Sequence, residues 1–245
     1  MTDAWERNAA WWIEGFTDGA DPEYEEQILP LAAVHLAGAA RVLDVGTGEG
    51  QVARLAAHLG ADLVAGVDPT AAQLATAGDR AGGPRYVRGS AERLPVRDAS
   101  VDVVVACLVF EHLTDHQAAI AEVSRVLRPG GRFLFFLNHP LLQSPGSGWI
   151  DDHILDEQYW RVGSYLLEDV TLEELAPGVV LPFVHRPLSH YVNALADRGL
   201  LVVHMEEPAP PPGFLARAVE YVEAATIPRL LFLRCEKAPA APPRA

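Results

Sequence analysis

The segment Asp44-Val45-Gly46-Thr47-Gly48-Glu49-Gly50 lies between a short apolar run and an amphipathic stretch. Glycine has no Cβ, so the backbone amides of such a turn, and the start of a helix that follows it, can approach a ligand closely. The segment therefore predicts a ligand site. A turn of the same composition also serves simply to pack a strand against a helix, so the prediction needs a second, independent feature.

Asp68, which closes the next apolar run, is that second feature. In a doubly wound sheet, a carboxylate at the end of the second strand accepts hydrogen bonds from the ribose hydroxyls of an adenosyl cofactor. The alternative is that Asp68 is only the acid that precedes a helix, because Thr70 is a suitable N-cap. The loop and the acid together indicate a site for a nucleoside-containing cofactor.

The elements that hold these residues follow from an alternation of β-branched apolar runs and helical stretches that begins at Arg41. This alternation is typical of an α/β fold in which helices cover both faces of a mostly parallel, doubly wound sheet. Seven strands are predicted, at residues 41–45, 63–67, 86–88, 101–109, 132–137, 201–206 and 229–235. Helices are predicted up to residue 59, from about residue 70 onward, and at residues 117–127, 189–197 and 214–225.

Two segments fall outside this alternation in what is predicted to be a single domain, residues 1–245. Residues 1–38 are predicted to form a helical cap. Residues 138–187 are rich in Pro, Gly, aromatic and acidic residues and are predicted to form an inserted lid with little regular structure. Aromatic residues in both segments are candidates for a substrate pocket, although at helical spacing they more often belong to the core. They are Trp11, Trp12, Phe16 and Tyr24 in the cap, and Trp149, Tyr159, Trp160 and Tyr165 in the lid.

The composition narrows the classes of partner. A formal net charge of −14 repels a phosphate backbone, so nucleic acid is disfavoured and a small molecule or a protein remains. No apolar run is long enough to cross a bilayer and no signal-peptide pattern is present, so we expect a cytoplasmic protein without a membrane partner, monomeric or homodimeric. Cys107 and Cys235 lie in separate apolar runs and are expected to be buried free thiols.

Five segments, in one order and spacing, resemble the class I S-adenosylmethionine-dependent methyltransferases, in particular the small-molecule enzymes typified by the ubiquinone and menaquinone biosynthesis methyltransferases. The similarity covers about residues 40–137. The segments are VLDVGTGEG at 42–50, GVDP at 66–69, GSAERLP at 89–95, the stretch from Asp102 to FEHL at 110–113, and VLRPGG at 126–131. The resemblance implies a Rossmann-like methyltransferase fold, S-adenosylmethionine (SAM) as cofactor, and methyl transfer to O, N or C of a small-molecule acceptor.

The same resemblance implies where SAM lies. The glycine loop would lie beneath the methionyl part, with Asp44 near its ammonium group and Asp68 on the ribose hydroxyls. Family members usually carry an Asp at the position of Ser90, where it accepts a hydrogen bond from the adenine amino group. Ser90 keeps an acceptor without the charge, and Glu92 is a candidate to compensate. The residues expected to contact SAM are Asp44, Gly46, Thr47, Gly48, Gly50, Asp68, Pro69, Gln73, Ser90, Ala91, Glu92 and Leu108.

Two other functions stay open at this point. A nicotinamide-dependent oxidoreductase is disfavoured, because its fingerprint requires Gly-x-Gly-x-x-Gly and Gln51 stands where the third glycine belongs. A SAM-binding protein on the same fold that does not transfer methyl, and uses the cofactor structurally or as a regulatory signal, is the alternative to an enzyme.

Methyl transfer requires no nucleophilic side chain from the protein, because SAM carries its own electrophile. A general base is optional and matters where the acceptor is a hydroxyl that must lose its proton. His112, His139 and His185 are the candidates, since each lies near a predicted strand end or the end of the lid, although each also has an ordinary structural role as its alternative. The histidine spacing shows no metal-ligand signature, so the sequence implies no metal.

Overall fold

A parallel sheet forms the centre of the protein, and the glycine loop follows its middle strand. The computed structural model describes residues 1–221 and 223–239. The strands are β1 (Arg41–Val45), β2 (Leu63–Asp68), β3 (Arg85–Arg88), β4 (Val101–Cys107), β5 (Leu127–Asn138), β6 (Gly148–Asp152), β7 (Glu157–Arg161), β8 (Asp169–Ala176), β9 (Val179–His185), β10 (Leu200–Glu206) and β11 (Leu230–Lys237).

The main sheet has seven strands in the order β10-β11-β5-β4-β1-β2-β3. The strands from β1 to β5 pair in parallel, whereas β11 is antiparallel to both of its neighbours, β5 and β10. The predicted seven-stranded, mostly parallel α/β sheet is therefore confirmed. The strand order reverses between β1 and β4, and ligands of open α/β sheets bind beyond the carboxyl ends of the strands at such a point.

Helices cover both faces of this sheet. They are α1 (Thr2–Phe16), α2 (Leu29–Leu36), which continues a π-helical turn (Tyr24–Ile28), α3 (Gln51–His58), α4 (Ala71–Arg80), α5 (His116–Val126), α6 (Pro140–Gln143), α7 (Leu188–Asp197) and α8 (Pro212–Leu215). Successive strand residues point to opposite faces. Leu43 thus packs in a core cluster with residues of α5 and α7, while Val42 packs in a second cluster with residues of α2 and α3.

The start of α4 is capped by a residue from α1. Thr70 occupies the N-cap position, as predicted, but its side chain makes no capping hydrogen bond. The carboxylate of Glu6 instead accepts hydrogen bonds from Ala71 N at 2.7 Å and Ala72 N at 3.0 Å. These contacts attach α1 to the helix that follows β2, and so hold the N-terminal segment at the carboxyl edge of the sheet.

The segment between β5 and α7, which was predicted to be a lid, is more regular than predicted. It holds two antiparallel hairpins, β6–β7 and β8–β9, so the expectation of little regular structure was wrong. Each hairpin pairs its own backbone groups, and β9 buries Leu181, Phe183 and Val184. Many acidic residues in β8 obscure the alternation that marks a strand.

The helix predicted at residues 214–225 is also wrong. The structure has only α8 and a 3-10 turn at Ala224–Thr226, and residue 222 lies outside the described part of the chain. Contacts from elsewhere in the chain determine this stretch: Tyr221 stacks on Trp149 at 5.1 Å, and the Arg229 guanidinium lies over the Phe214 ring. Tertiary packing of this kind overrides helix propensity.

Cys107 and Cys235 are both buried free thiols, as expected. Among residues 1–221 and 223–239, no helix combines the length and apolar character that crossing a membrane requires.

Candidate active site

A cavity of about 520 Å³ opens at the carboxyl ends of β1, β2 and β4, beneath α1. This is the crevice that the strand order predicts for a ligand. Its lining includes eleven of the twelve residues expected to contact SAM, namely Asp44, Gly46, Thr47, Gly48, Asp68, Pro69, Gln73, Ser90, Ala91, Glu92 and Leu108.

The glycine loop takes a backbone path that favours glycine. Gly46 and Gly48 have φ of +69° and +54°, in the left-handed region. The amides of Gly46 and Thr47 donate to Val67 O at 2.7 and 3.1 Å, which fixes the turn against β2. A Cβ built on Gly48 meets its nearest neighbour, Gln73 Oε1, only at 3.8 Å, so this part of the loop has open space beside it.

Asp68 connects the glycine loop to the start of α4. Its Oδ2 accepts a hydrogen bond from Gly48 N at 3.0 Å, and its Oδ1 accepts one from Thr70 N at 2.8 Å. Each carboxylate oxygen can accept a further hydrogen bond. Burial raises the pKa of the Asp68 carboxyl, and the two amide hydrogen bonds oppose that shift.

Asp44 is a buried acid at the end of β1. Thr47 Oγ1 donates to its Oδ2 at 2.7 Å. Burial raises the pKa of the Asp44 carboxyl to about 7, with the Thr47 hydrogen bond acting in the opposite direction. A positively charged ligand group in the cavity would favour the ionised form of this carboxyl.

Gln73 and Leu108 each carry a feature that is typical of ligand sites. Gln73 is buried on α4, and its Oε1 has no hydrogen-bond partner among the described residues. Leu108, directly after β4, has φ of +55°, which is strained for a residue with a bulky side chain. Unpaired buried acceptors and strained backbone are costly and occur preferentially at ligand sites.

Ser90 and Glu92 face the cavity as a pair. Ser90 Oγ donates to the Glu92 carboxylate and accepts from Glu92 N at 3.2 Å. The Glu92 carboxylate therefore lies beside Ser90, the position at which the resemblance described above implies an Asp.

Gly50 is the one predicted cofactor contact that is absent from the cavity lining. It is the N-cap of α3 with φ of +91°, and a Cβ there would overlap the Tyr86 hydroxyl. The close approach of Tyr86 explains why residue 50 is a glycine. The spacing of the glycines in the sequence does not reveal this approach.

Aromatic residues of the N-terminal segment line the other end of the cavity. Trp12 and Tyr24, both predicted, line it, whereas Trp11 and Phe16 are absent from its lining and their rings lie 5.1 Å apart. Trp5 also lines it and was missed in the sequence. It precedes Trp12 by two helical turns and so shares its face of α1, which is the signal that identifies it.

His112 lies at this aromatic end of the cavity. Its ring packs against Trp5 at 4.7 Å and Phe183 at 4.6 Å. Nδ1 lies 2.9 Å from Pro182 O, and because a carbonyl only accepts, Nδ1 carries the hydrogen and Nε2 is left as an acceptor. Burial lowers the pKa of His112 to about 4, so the imidazole is neutral at pH 7.

The structure places His139 and His185 outside the cavity lining. His139 caps α6 through Nδ1, which accepts from Leu141 N, and its Nε2 lies 2.7 Å from Glu207 Oε1. His185 ends β9, where its Nε2 donates to Tyr165 O at 2.8 Å. Of the three predicted histidines, His112 is therefore the one positioned to contact an acceptor in the cavity.

The aromatic residues of the lid lie elsewhere as well. Trp149 packs edge to face with Trp160 and stacks on Tyr221, while the Tyr165 hydroxyl accepts from Leu188 N at 3.0 Å. Together with Tyr159, they are absent from the cavity lining. The hypothesis that they form the acceptor pocket finds no support in this arrangement.

Glu111 is a buried acid beside the site that the sequence did not single out. Its Oε1 accepts from Asn138 Nδ2 at 2.7 Å and Asn138 N at 3.2 Å, whereas its Oε2 has no hydrogen-bond partner among the described residues. Burial raises the pKa of the Glu111 carboxyl to about 7. Its burial depends on tertiary packing, so no local signal marks it.

The Glu111 carboxyl gives a pH-dependent prediction. Its pKa is raised from 4.5 to about 7, so between these values the folded protein holds a proton that the unfolded chain has released. Its contribution to stability is complete below pH 4.5 and is lost as the pH rises to 7, by up to about 1.4 kcal/mol per pH unit. Glu111→Gln keeps the acceptor for Asn138 and cannot ionise. We expect its unfolding free energy, measured in urea at several pH values, to fall less steeply than that of the wild type.

The exposed Glu14→Gln variant is the matched control, and it is expected to keep the wild-type slope. Parallel pH curves for the wild type and Glu111→Gln would contradict the assignment.

Comparison with known proteins agrees with this geometry. A family model described as "Methyltransferase domain" matches residues 43–135, which span the strands and loops that line the cavity. A ubiquinone/menaquinone biosynthesis C-methyltransferase of Rubrivivax gelatinosus is 42% identical over 96 residues, covering 38% of this chain and 37% of that protein.

Two further proteins match most of the chain. An uncharacterized methyltransferase of Mycobacterium tuberculosis is 36% identical over 184 residues, covering 74% of this chain and 67% of that protein. The crystal structure of an S-adenosylmethionine-dependent methyltransferase from Mesorhizobium loti superposes with a TM-score of 0.76 at 27% identity, covering 89% of this chain and 99% of that one. The chain therefore belongs to the class I SAM-dependent methyltransferases, and SAM is its cofactor.

Proposed function

We propose that this methyltransferase acts on a small-molecule acceptor, which binds at the aromatic end of the cavity and receives the methyl group on O, N or C. The observation that carries the proposal is the continuity of the cavity. The same space of about 520 Å³ is lined by the glycine loop and Asp68 at one end and by Trp5, Trp12 and His112 at the other. Cavities of this size are typical of sites for small ligands.

The residues at the first end fit SAM. Gln73 Oε1 is an unpaired buried acceptor, and the Ser90–Glu92 pair is a second acceptor group, so both can receive hydrogens from the adenine amino group. Asp68 has acceptor capacity left for the ribose hydroxyls. Asp44 is buried near the loop and suits the cationic methionyl part, which would favour its ionised form.

The residues at the second end suit an apolar or aromatic acceptor. Trp5, Trp12 and Tyr24 present aromatic surface, and electron-rich ring faces also attract a cationic group such as a sulfonium. The net charge of −14 repels a phosphate backbone, so a nucleic-acid acceptor remains disfavoured.

SAM supplies a methyl group on a sulfonium, which passes to a nucleophilic atom of the acceptor. The protein's own contribution is to hold the acceptor in line and to exclude water, and such alignment accounts for roughly 7 to 11 kcal/mol of a barrier. His112 is neutral, and its Nε2 is an acceptor because Nδ1 donates to Pro182 O. It can therefore accept a hydrogen bond from an acceptor hydroxyl, or take its proton.

The test is product formation. The purified protein is incubated with SAM and either the low-mass or the macromolecular fraction of a cell extract, and S-adenosylhomocysteine and methylated products are followed by mass spectrometry. Product from the low-mass fraction supports the proposal. Product from the macromolecular fraction alone overturns the acceptor class, and SAM binding without turnover on either fraction favours a protein that uses the cofactor without transferring methyl.

Once an acceptor is known, His112→Asn separates two roles for this residue. A lower kcat at unchanged KM indicates a base, whereas a higher KM at unchanged kcat indicates a contact that only positions the acceptor.

A further inference from the structure

Two histidines and a glutamate come together between α2 and the edge strand β10. They are His35 on α2, and His204 and Glu206 on β10. One ligand atom from each lies within 4.8 Å of the other two. None of the three lines the cavity described above.

The fold brings these side chains to one face. His204 and Glu206 are two residues apart on a strand and therefore point to the same side of the sheet. Glu206 pairs in register with Phe232 of β11, and the Phe232 ring packs against His35 at 4.7 Å. The packing of α2 on the sheet thus orients the His35 ring toward the edge strand.

The spacing of the three groups suits a divalent transition ion. Ligands at about 2.0 to 2.1 Å from a tetrahedral Zn²⁺ lie roughly 3.3 Å from each other. Two of the separations in the structure bracket this value: His204 Nε2 lies 2.7 Å and His35 Nε2 lies 3.8 Å from Glu206 Oε1. Small side-chain rotations bring both imidazole nitrogens and the carboxylate oxygen onto one ion.

The surroundings leave such an ion accessible to solvent and partly neutralise its charge. The side chain of His35 is 11% exposed, whereas those of Glu206 and His204 are 36% and 42% exposed, so solvent or a small anion can complete the coordination. Arg234 pairs with His204 in the strand register, and its positive charge disfavours a bound cation. The negative charges of Glu206 and of the strongly acidic chain favour one.

We propose that His35, His204 and Glu206 form a binding site for a divalent transition ion such as Zn²⁺, which links α2 to β10. Two imidazoles and one carboxylate are ligands that Zn²⁺ takes in proteins, and the two imidazoles disfavour Mg²⁺ and Ca²⁺, which prefer oxygen ligands. The ion joins the N-terminal helical segment to the end of the main sheet, so its effect is on stability and lies outside the chemistry of methyl transfer.

The experiment uses the full chain without an affinity tag, freed of metal with a chelator and titrated with ZnCl₂ in a calorimeter. We expect one Zn²⁺ per chain, and a higher Tm when the ion is present. His204→Gln and Glu206→Gln are each expected to weaken binding by at least about tenfold, since even residues that only support metal ligands contribute about 10- to 100-fold. His58→Gln, at an exposed position at the end of α3, is the matched control and is expected to bind as the wild type does.

Three results would overturn the proposal. They are no stoichiometric Zn²⁺ binding to the wild type, unchanged binding by His204→Gln, and an equal loss of binding in His58→Gln. Circular dichroism of each variant shows whether it is folded, and because the His204 side chain is exposed, we expect His204→Gln to fold as the wild type does.

Discussion

Gly46→Ala is expected to lower the free energy of unfolding by several kcal/mol and to abolish SAM binding. Two costs add at this position. Alanine at φ of +69° is strained, at about 1 to 3 kcal/mol, and its Cβ would overlap Val109 Cγ2 and lie 2.9 Å from Cγ1, an overpacking that costs about 1 to 3 kcal/mol more. Val109 is β-branched and has few rotamers to escape the contact. Urea denaturation and calorimetric titration with SAM measure the two effects.

Two further variants separate strain from overlap. Gly48→Ala also has a positive φ, but its Cβ has open space, so its loss of stability is expected to be smaller than that of Gly46→Ala. The double variant Gly46→Ala with Val109→Ala is expected to recover the part of the lost unfolding free energy that comes from the overlap with Val109. Equal losses in Gly46→Ala and Gly48→Ala would show that the close approach of Val109 is not what requires glycine.

Asp68→Ala is expected to weaken SAM binding by about 1 to 3 kcal/mol, which is roughly 5- to 150-fold in Kd. The variant removes an acceptor for the ribose hydroxyls, and it also releases the amides of Gly48 and Thr70 from their carboxylate partner. Isothermal titration with SAM gives the Kd, and thermal unfolding without ligand reports the loss of the internal hydrogen bonds alone.

Asp79→Ala, an exposed acid on α4, is the matched control and is expected to bind SAM as the wild type does. An unchanged Kd in Asp68→Ala would refute the assignment of this carboxylate to the ribose. Stabilisation of the wild type by NAD but not by SAM would contradict the assignment of the cofactor itself.

The part of the site that the sequence predicts is the part encoded locally. The segment from Asp44 to Gly48 and the acid at Asp68 each follow a strand directly, and parallel strands bring their carboxyl ends to one edge. Their meeting therefore follows from the fold class alone. The sheet itself was also predictable from local sequence, because its buried strands are continuous apolar runs bounded by turns.

The rest depends on contacts between residues distant in the chain. Trp5 reaches His112 because α1 packs across the carboxyl edge, and Glu111 is bound by Asn138 at the end of β5, 27 residues away in the chain. The cluster of His35 with His204 has no sequence spacing that a motif could capture. The hairpins of the lid were missed because exposed strands with many acids lack the apolar alternation of a half-buried strand.

The capping of α4 by Glu6 has a consequence for how the N-terminal helix α1 and the cavity affect each other. Asp68 and Thr70 form the same corner of the chain that Glu6 holds from α1, so a ligand that orders this corner also strengthens the docking of the N-terminal helix. Reciprocity requires the converse: displacing that helix lowers affinity for the ligand by the same factor. Occupancy of the cavity and protection of the first sixteen residues from proteolysis are thus expected to rise together.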